Sequence, residues 1–154
     1  DGLHLLLTRR TAHLRSHAGQ ISFPGGRVEP EDAGPVATAL RETQEEIGLA
    51  ADCIEVIGQL PVYSTVTAFQ VTPVVGLVRP GFTLALDAFE VAEAFEVPLA
   101  FLMNPAHHQH HCFEFEGMER RFLSMPWQGE GGEYFIWGAT AAMLRNLYQL
   151  LSAA

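Results

Sequence analysis

The 154-residue chain contains no lysine, and all nine of its basic residues are arginine. Against them stand eighteen acids, giving a formal net charge of −9. That balance argues against a general nucleic-acid or anionic-membrane binder. Cysteine is nearly absent. Cys53 and Cys112 stand alone in strand-like runs without metal-type spacing, which fits buried reduced thiols and a cytoplasmic setting. No apolar run is long enough to span a bilayer, and no basic-then-apolar leader opens the chain. The sequence begins at Asp1 rather than Met and enters a strand-like pattern at once, so a preceding N-terminal piece is expected. Charged residues are only 18% and hydrophobic residues 48%, which excludes a disordered tail or fibrous repeat. The length fits one domain over residues 1–154, with ten Phe and two Trp to fill its core.

The charge is unevenly spread. Residues 1–27 hold Arg9, Arg10, Arg15 and Arg27 against Asp1, a net of +3, and the remainder carries −12. An anionic substrate bound through a bridging cation would use both stretches. Taken alone, such asymmetry more often means a solvated surface.

Alternation at Leu3, Leu5 and Leu7 predicts a strand, followed by a polar loop over 11–22 and a turn at Phe23-Pro24-Gly25-Gly26. Gly34-Pro35 opens a helix with Pro at its first position, and Gly48 ends it. Val36, Ala39, Leu40, Thr43 and Ile47 form its apolar stripe. Strands are predicted over 53–60, over 69–78 with Pro73 as an edge or bulge, over 82–86 and over 95–97. A helical turn follows at 98–103, a hairpin at 110–125 and a Gly-rich loop at 128–133. The chain then gives a strand at 134–137 and a last helix capped by Thr140. Helices between strand groups make this a mixed α/β domain.

The densest chemistry lies in Arg41-Glu42-Thr43-Gln44-Glu45-Glu46-Ile47-Gly48-Leu49. At about 100° per residue, Glu42, Glu45 and Glu46 share a sector of roughly 100° beside the apolar stripe. Like charges one turn apart destabilise a helix, and the C-terminal end of the helix dipole disfavours anions. A divalent cation resolves both conflicts, and hard oxygen donors suit Mg²⁺ or Mn²⁺. A bare Glu-x-x-Glu-Glu would more often be a solvated acidic face.

With Gly25-Gly26 and an acidic loop upstream, this run resembles the Nudix box, the signature of hydrolases that cleave a diphosphate linked to another moiety. Thr43 stands where the family usually has an aliphatic residue. Gly26 to Asp32 keeps the first interval, with Asp for Glu, but eight residues separate Asp32 from Arg41, one more than the general pattern. The role of Asp32 is left open. The resemblance implies a Nudix-type α/β/α sandwich with a mixed β-sheet between helices. It implies Glu42 and Glu46 as metal ligands and Glu45 as a further ligand or the group orienting the water. The carbonyl of Gly25 or Gly26 would complete the shell, and Arg41 would hold a carboxylate in place. For the general base, Glu90, Glu93, Glu130 and Glu133 are candidates, of which Glu93 is chosen.

The segment before the box is similar to the extra motif of the coenzyme A-directed Nudix group. Leu6-Leu7-Thr8-Arg9-Arg10-Thr11, Arg15, Gly19 and Phe23-Pro24-Gly25-Gly26 keep every interval, with Thr11 in a position usually Ser or Ala. The likeness implies hydrolysis of coenzyme A or a derivative to 4′-phosphopantetheine and adenosine 3′,5′-bisphosphate. Arg10 and Arg15 suit phosphate oxygens. Gly19, Gly25 and Gly26 allow close backbone approach, and Phe23 packs on substrate or anchors the loop. The partner is then a small nucleotide substrate, with no nucleic acid or membrane, and a homodimer is left open. The rivals are a Nudix hydrolase for ADP-ribose or a dinucleotide, a non-catalytic nucleotide-binding module, and, last, a metal site at His107-His108-x-His110-His111-Cys112.

Overall fold

The computed structural model describes residues 2–14 and 18–154. The chain divides into two compact units, Thr8–Ala94 and Asp1–Leu7 with Phe95–Ala154. Strands β1 (His4–Arg10) and β7 (Val91–Pro98) contribute residues to both, and a ladder runs in the order β2-β1-β7, with β2 at Ile21–Ser22.

The first unit is built around α1 (Pro35–Ile47), whose bounds match the sequence reading. Gly34 precedes it, Pro35 opens it, and Gly48 leaves it in the left-handed region at φ 72°. Ile47 is wholly buried, which contributes about 1.5–3 kcal/mol relative to exposure. Val36, Leu40 and Thr43 are half-buried, and the Thr43 hydroxyl donates to the Ala39 carbonyl at 2.7 Å. That back-bond lets a hydroxyl stand where an aliphatic group was expected. Beside α1 lies an antiparallel pair, β3 (Ile54–Gln59) with β6 (Val74–Val78), bulged between Val56 and Gly58. A short hairpin, β4 (Tyr63–Ser64) with β5 (Gln70–Val71), interrupts it. Pro73 splits the strand expected over 69–78, and its carbonyl accepts the Leu60 N–H.

The expected strand over 82–86 is not one. Its backbone caps the helix instead: Ala85 N–H donates to the Ile47 carbonyl at 2.8 Å and Asp87 N–H to the Glu46 carbonyl at 2.9 Å. Those carbonyls lack intrahelical partners, and the alternating apolar residues of 82–86 mimic a strand only in sequence.

In the second unit, β8 (Gln109–Phe115), β9 (Met118–Gly129) and β10 (Gly132–Trp137) form an antiparallel sheet, with α2 (Leu99–Leu102) preceding it. The expected Gly-rich loop at 128–133 is the tight turn of the second hairpin. The last helix, α3 (Ala139–Ala153), packs on β9 and β10, and Met125, Ile136 and Leu144 are fully or almost fully buried. Phe95 stacks on Tyr134 at 4.0 Å between ring centres. Thr140 is not the cap: it lies inside the helix, and Gly138, at φ 67°, makes the entry turn.

Candidate active site

All described residues of the acidic site lie in the Thr8–Ala94 unit. After β2, the turn Phe23–Gly26 runs against the last two turns of α1. Gly25 N–H donates to Glu46 Oε1 at 3.0 Å. A Cβ on Gly26 would fall 2.6 and 2.7 Å from the Glu42 carboxylate oxygens, closer than real contacts allow. Glu42 thus lies directly over the glycine backbone, and a side chain at Gly26 would have to push the carboxylate aside. Gly26→Ala is expected to displace that carboxylate. Turnover should fall by up to about a hundredfold, as small misplacements in active sites do. Thermal stability should hold, because the end of a flexible side chain can swing aside. Equal loss of stability and activity would assign Gly26 to folding alone.

The three glutamates differ in environment more than the wheel geometry implies. Glu46 is 6% exposed and turned toward the protein rather than lying on a solvent edge. Burial is the largest cause that pushes its carboxyl up to about 7, and the charges of Glu42 and Glu90 push the same way. The Gly25 N–H and the Arg10 charge oppose them. Burial also raises Glu42, aided by Glu45 and Glu90, while Arg41 pulls it down. Glu45 is exposed and bonded to Arg41 at 3.1 Å.

Arg41 ties these groups together. Its Nε and Nη2 form a fork on Asp32 at 3.0 and 2.9 Å. Nη1 reaches Glu42 at 2.9 Å and Glu29 at 3.4 Å, and Nη2 also donates to the Arg27 carbonyl at 3.1 Å. Asp32 further accepts from Thr38 Oγ1 at 2.8 Å and from Glu29 N–H at 2.9 Å. The Arg41 hydrogen bonds hold Asp32 well below the usual carboxylate range, and Asp32 in turn raises Arg41. The role left open for Asp32 is therefore to anchor Arg41. Its signal in the sequence was the kept interval from Gly26, obscured by the longer loop that follows.

Gly19 has φ 71°, and its N–H returns to the Arg10 carbonyl at 3.1 Å, closing the turn between β1 and β2. Phe23 is half-buried. Arg15 lies outside the described residues. Glu93 pairs with Arg9 at 3.2 Å. The acid whose charge raises both Glu42 and Glu46 is Glu90, another of the four general-base candidates.

Three histidines of the 107–112 cluster are engaged elsewhere. The ring of His107 stacks on Phe101 at 3.9 Å. His108 is buried before β8 begins, bonded to the Leu102 carbonyl at 2.7 Å and to Arg145 at 2.9 Å. His111 bonds the Ser124 hydroxyl at 2.7 Å.

Among the described residues no three His, Cys, Asp or Glu side chains converge as a ready metal cage. Mg²⁺ does not require one, since it commonly takes one or two carboxylates and completes its shell with water and substrate phosphate. Two hard-oxygen donors, drawn out of water against a glycine turn and raised by burial, fit such an ion.

The model of the NUDIX domain matches residues 1–115. A Salmonella paratyphi B protein named "Uncharacterized Nudix hydrolase NudL" is 46% identical over 144 residues, spanning 93% of this chain and 72% of that protein. The Salmonella newport protein of the same name matches to the same extent. Among solved structures, a C. elegans Ap4A hydrolase binary complex matches with a TM-score of 0.55 and 18% identity, over 64% of this chain and 71% of that one. A MutT protein from Methanosarcina mazei Go1 matches with a TM-score of 0.52 and 27% identity, over 65% and 70%. The first of these two likenesses speaks to fold alone.

Proposed function

The chain belongs to the NUDIX family of hydrolases and has its fold of mixed sheets and a few helices, and from that premise we propose that it is a coenzyme A diphosphatase. The substrate would be coenzyme A or a derivative, split at its diphosphate to 4′-phosphopantetheine and adenosine 3′,5′-bisphosphate. The observation that supports this reading is the seating of the Phe23–Gly26 turn, the end of the coenzyme A-type motif, on the acidic helix: Gly25 N–H donates to Glu46 Oε1 at 3.0 Å and Gly26 lies beneath the Glu42 carboxylate. The motif that carries Arg10 thus ends against the carboxylates proposed to hold the metal. Residues 1–154 are taken as one domain, and the thiols of Cys53 and Cys112 are free, in keeping with a cytoplasmic setting, although Cys53 is half-buried and Cys112 exposed rather than both buried. No helix among the described residues is long and apolar enough to cross a membrane.

Glu42 and Glu46 would hold Mg²⁺ or Mn²⁺. When bound, the ion supplies neutralisation of phosphoryl oxygens and lowers the pKa of a water. The chain's own residues do the positioning. The Gly25 N–H fixes one carboxylate oxygen of Glu46, and Gly26 leaves room for Glu42. Arg41, braced by Asp32, steadies Glu42 and draws Glu45 to the rim. Because Glu93 is held by Arg9, the proton-accepting role passes in this proposal to Glu90. Arg10, with Arg15 in the same motif, would grip substrate phosphate.

The test is a panel of coenzyme A, dephospho-coenzyme A, ADP-ribose, NADH and dinucleotide polyphosphates with Mg²⁺ or Mn²⁺. Coenzyme A should be preferred over dephospho-coenzyme A by roughly tenfold to a hundredfold, the value of one hydrogen bond to a charged group. Arg10→Ala or Arg15→Ala should shrink that ratio, mainly by weakening the better substrate. Preference for ADP-ribose or a dinucleotide would move the chain to another branch of the family. Binding without turnover would make it a sensing module.

A further inference from the structure

We propose that Arg27 and Phe69 form a shelf on which the planar base of a nucleotide substrate stacks. The proposal rests on the reading of the chain as a diphosphatase of nucleotide conjugates, and it assigns the base end of that site. The Arg27 guanidinium lies over the Phe69 ring, 5.2 Å from its centre. Arg27 directly follows Gly26, the residue beneath the Glu42 carboxylate. Its carbonyl is held by Arg41, the same side chain that binds Asp32 and Glu42. The shelf is therefore one residue from the acidic centre and shares its support.

Phe69 is fixed with equal care. It closes the turn between β4 and β5, where its carbonyl accepts the Thr65 N–H at 2.8 Å and its own N–H donates to the Thr65 hydroxyl at 3.1 Å. Ala68, just before it, sits at φ 68°. An alanine held in the left-handed region is strained, and such strain tends to persist where a side chain must be aimed. Yet the aimed ring stays 47% exposed. A guanidinium placed only to screen an apolar ring leaves no reason for a strained, doubly bonded turn beneath it. Half-open rings and guanidinium planes are the two surfaces on which bases stack, and stacking accepts any base because each has a π-face.

The probe is ADP, titrated onto the whole protein by calorimetry, with inorganic pyrophosphate as the base-free control. Phe69→Ala is expected to weaken ADP binding roughly fivefold to a hundredfold. Phe69→Tyr should retain it, Arg27→Gln should weaken it, and pyrophosphate affinity should hold in all three. With a nucleotide substrate, Phe69→Ala should raise KM and leave kcat near wild type. Failure of ADP to bind the wild type, ADP affinity unchanged in Phe69→Ala and Arg27→Gln, or an equal loss for pyrophosphate would overturn the shelf. If coenzyme A is not hydrolysed but ADP binding still depends on Phe69, the shelf stands and the coenzyme A reading falls.

Discussion

Glu46→Gln is expected to lower turnover by about a hundredfold to ten-thousandfold, the worth of several kcal/mol of metal-derived charge stabilisation. The same substitution should make the metal-free protein more stable at neutral and alkaline pH. Burial raises the Glu46 carboxyl from an ordinary value of 4.5 to about 7. Between those values the folded chain binds more protons than the unfolded one, so stability falls as pH rises through the interval and levels off above it. Glutamine has no charge to desolvate, and its amide oxygen can still accept the Gly25 N–H. The melting temperatures of variant and wild type should therefore agree near pH 4.5 and diverge by pH 8, the variant being higher. Added Mg²⁺ should raise the melting temperature of the wild type far more than that of the variant. Wild-type turnover in the variant at saturating metal would remove Glu46 from the site.

Arg41→Lys should lower turnover roughly tenfold to a hundredfold, the usual scale for a group that orients metal-binding side chains. Lysine keeps the charge but has no fork, and it cannot span Asp32, Glu42 and the Arg27 carbonyl at once. Asp32 would lose its chief support, so its carboxyl should rise toward the ordinary 3.8. In the wild type the stability that Asp32 contributes is present above 3.8 and lost only in strong acid. In the variant that contribution should be smaller and its loss complete at higher pH. Acid unfolding followed by circular dichroism reads the shift, and turnover reads the positioning. Full activity in Arg41→Lys would reduce Arg41 to a charge. Asp32→Asn should reproduce much of the defect, and the double variant should be less than additive, because both changes break one contact.

The helix at the centre of these effects was legible because its signals are local. Pro35 fixes the entry, Gly48 fixes the exit, and the 3.6-residue period sets the stripe. The Arg-Glu run and its glycines were legible for the same reason. What lay beyond reach was long-range. A helical wheel gives Glu46 a direction but not a roof, and the roof is a turn twenty-one residues earlier in the chain. Asp32 could not be assigned from a loop of unusual length, since only the folded loop brings its oxygens to Arg41. Residues 82–86 alternate like a strand but serve as a cap. A metal site at the histidines of 107–111 is the last of the rival readings in sequence. In the fold, His107, His108 and His111 bond the Phe101 carbonyl, the Leu102 carbonyl and the Ser124 hydroxyl.

The capping segment has a consequence for local opening. Ala85 and Asp87 donate to the final carbonyls of α1, and a Cβ on Gly48 would press on the Ala85 backbone at 2.9 to 3.0 Å. Neither the helix end nor the capping segment can peel away alone. Glu46 is gripped at both ends, its carbonyl by Asp87 and its carboxylate by Gly25. The amide protons of Ala85 and Asp87 should share the opening free energy of the last helical turn. Deuterium uptake at these two amides should then slow when a cation occupies the carboxylates, although neither residue contributes a ligand, and that pair of protons becomes a reporter of occupancy independent of catalysis.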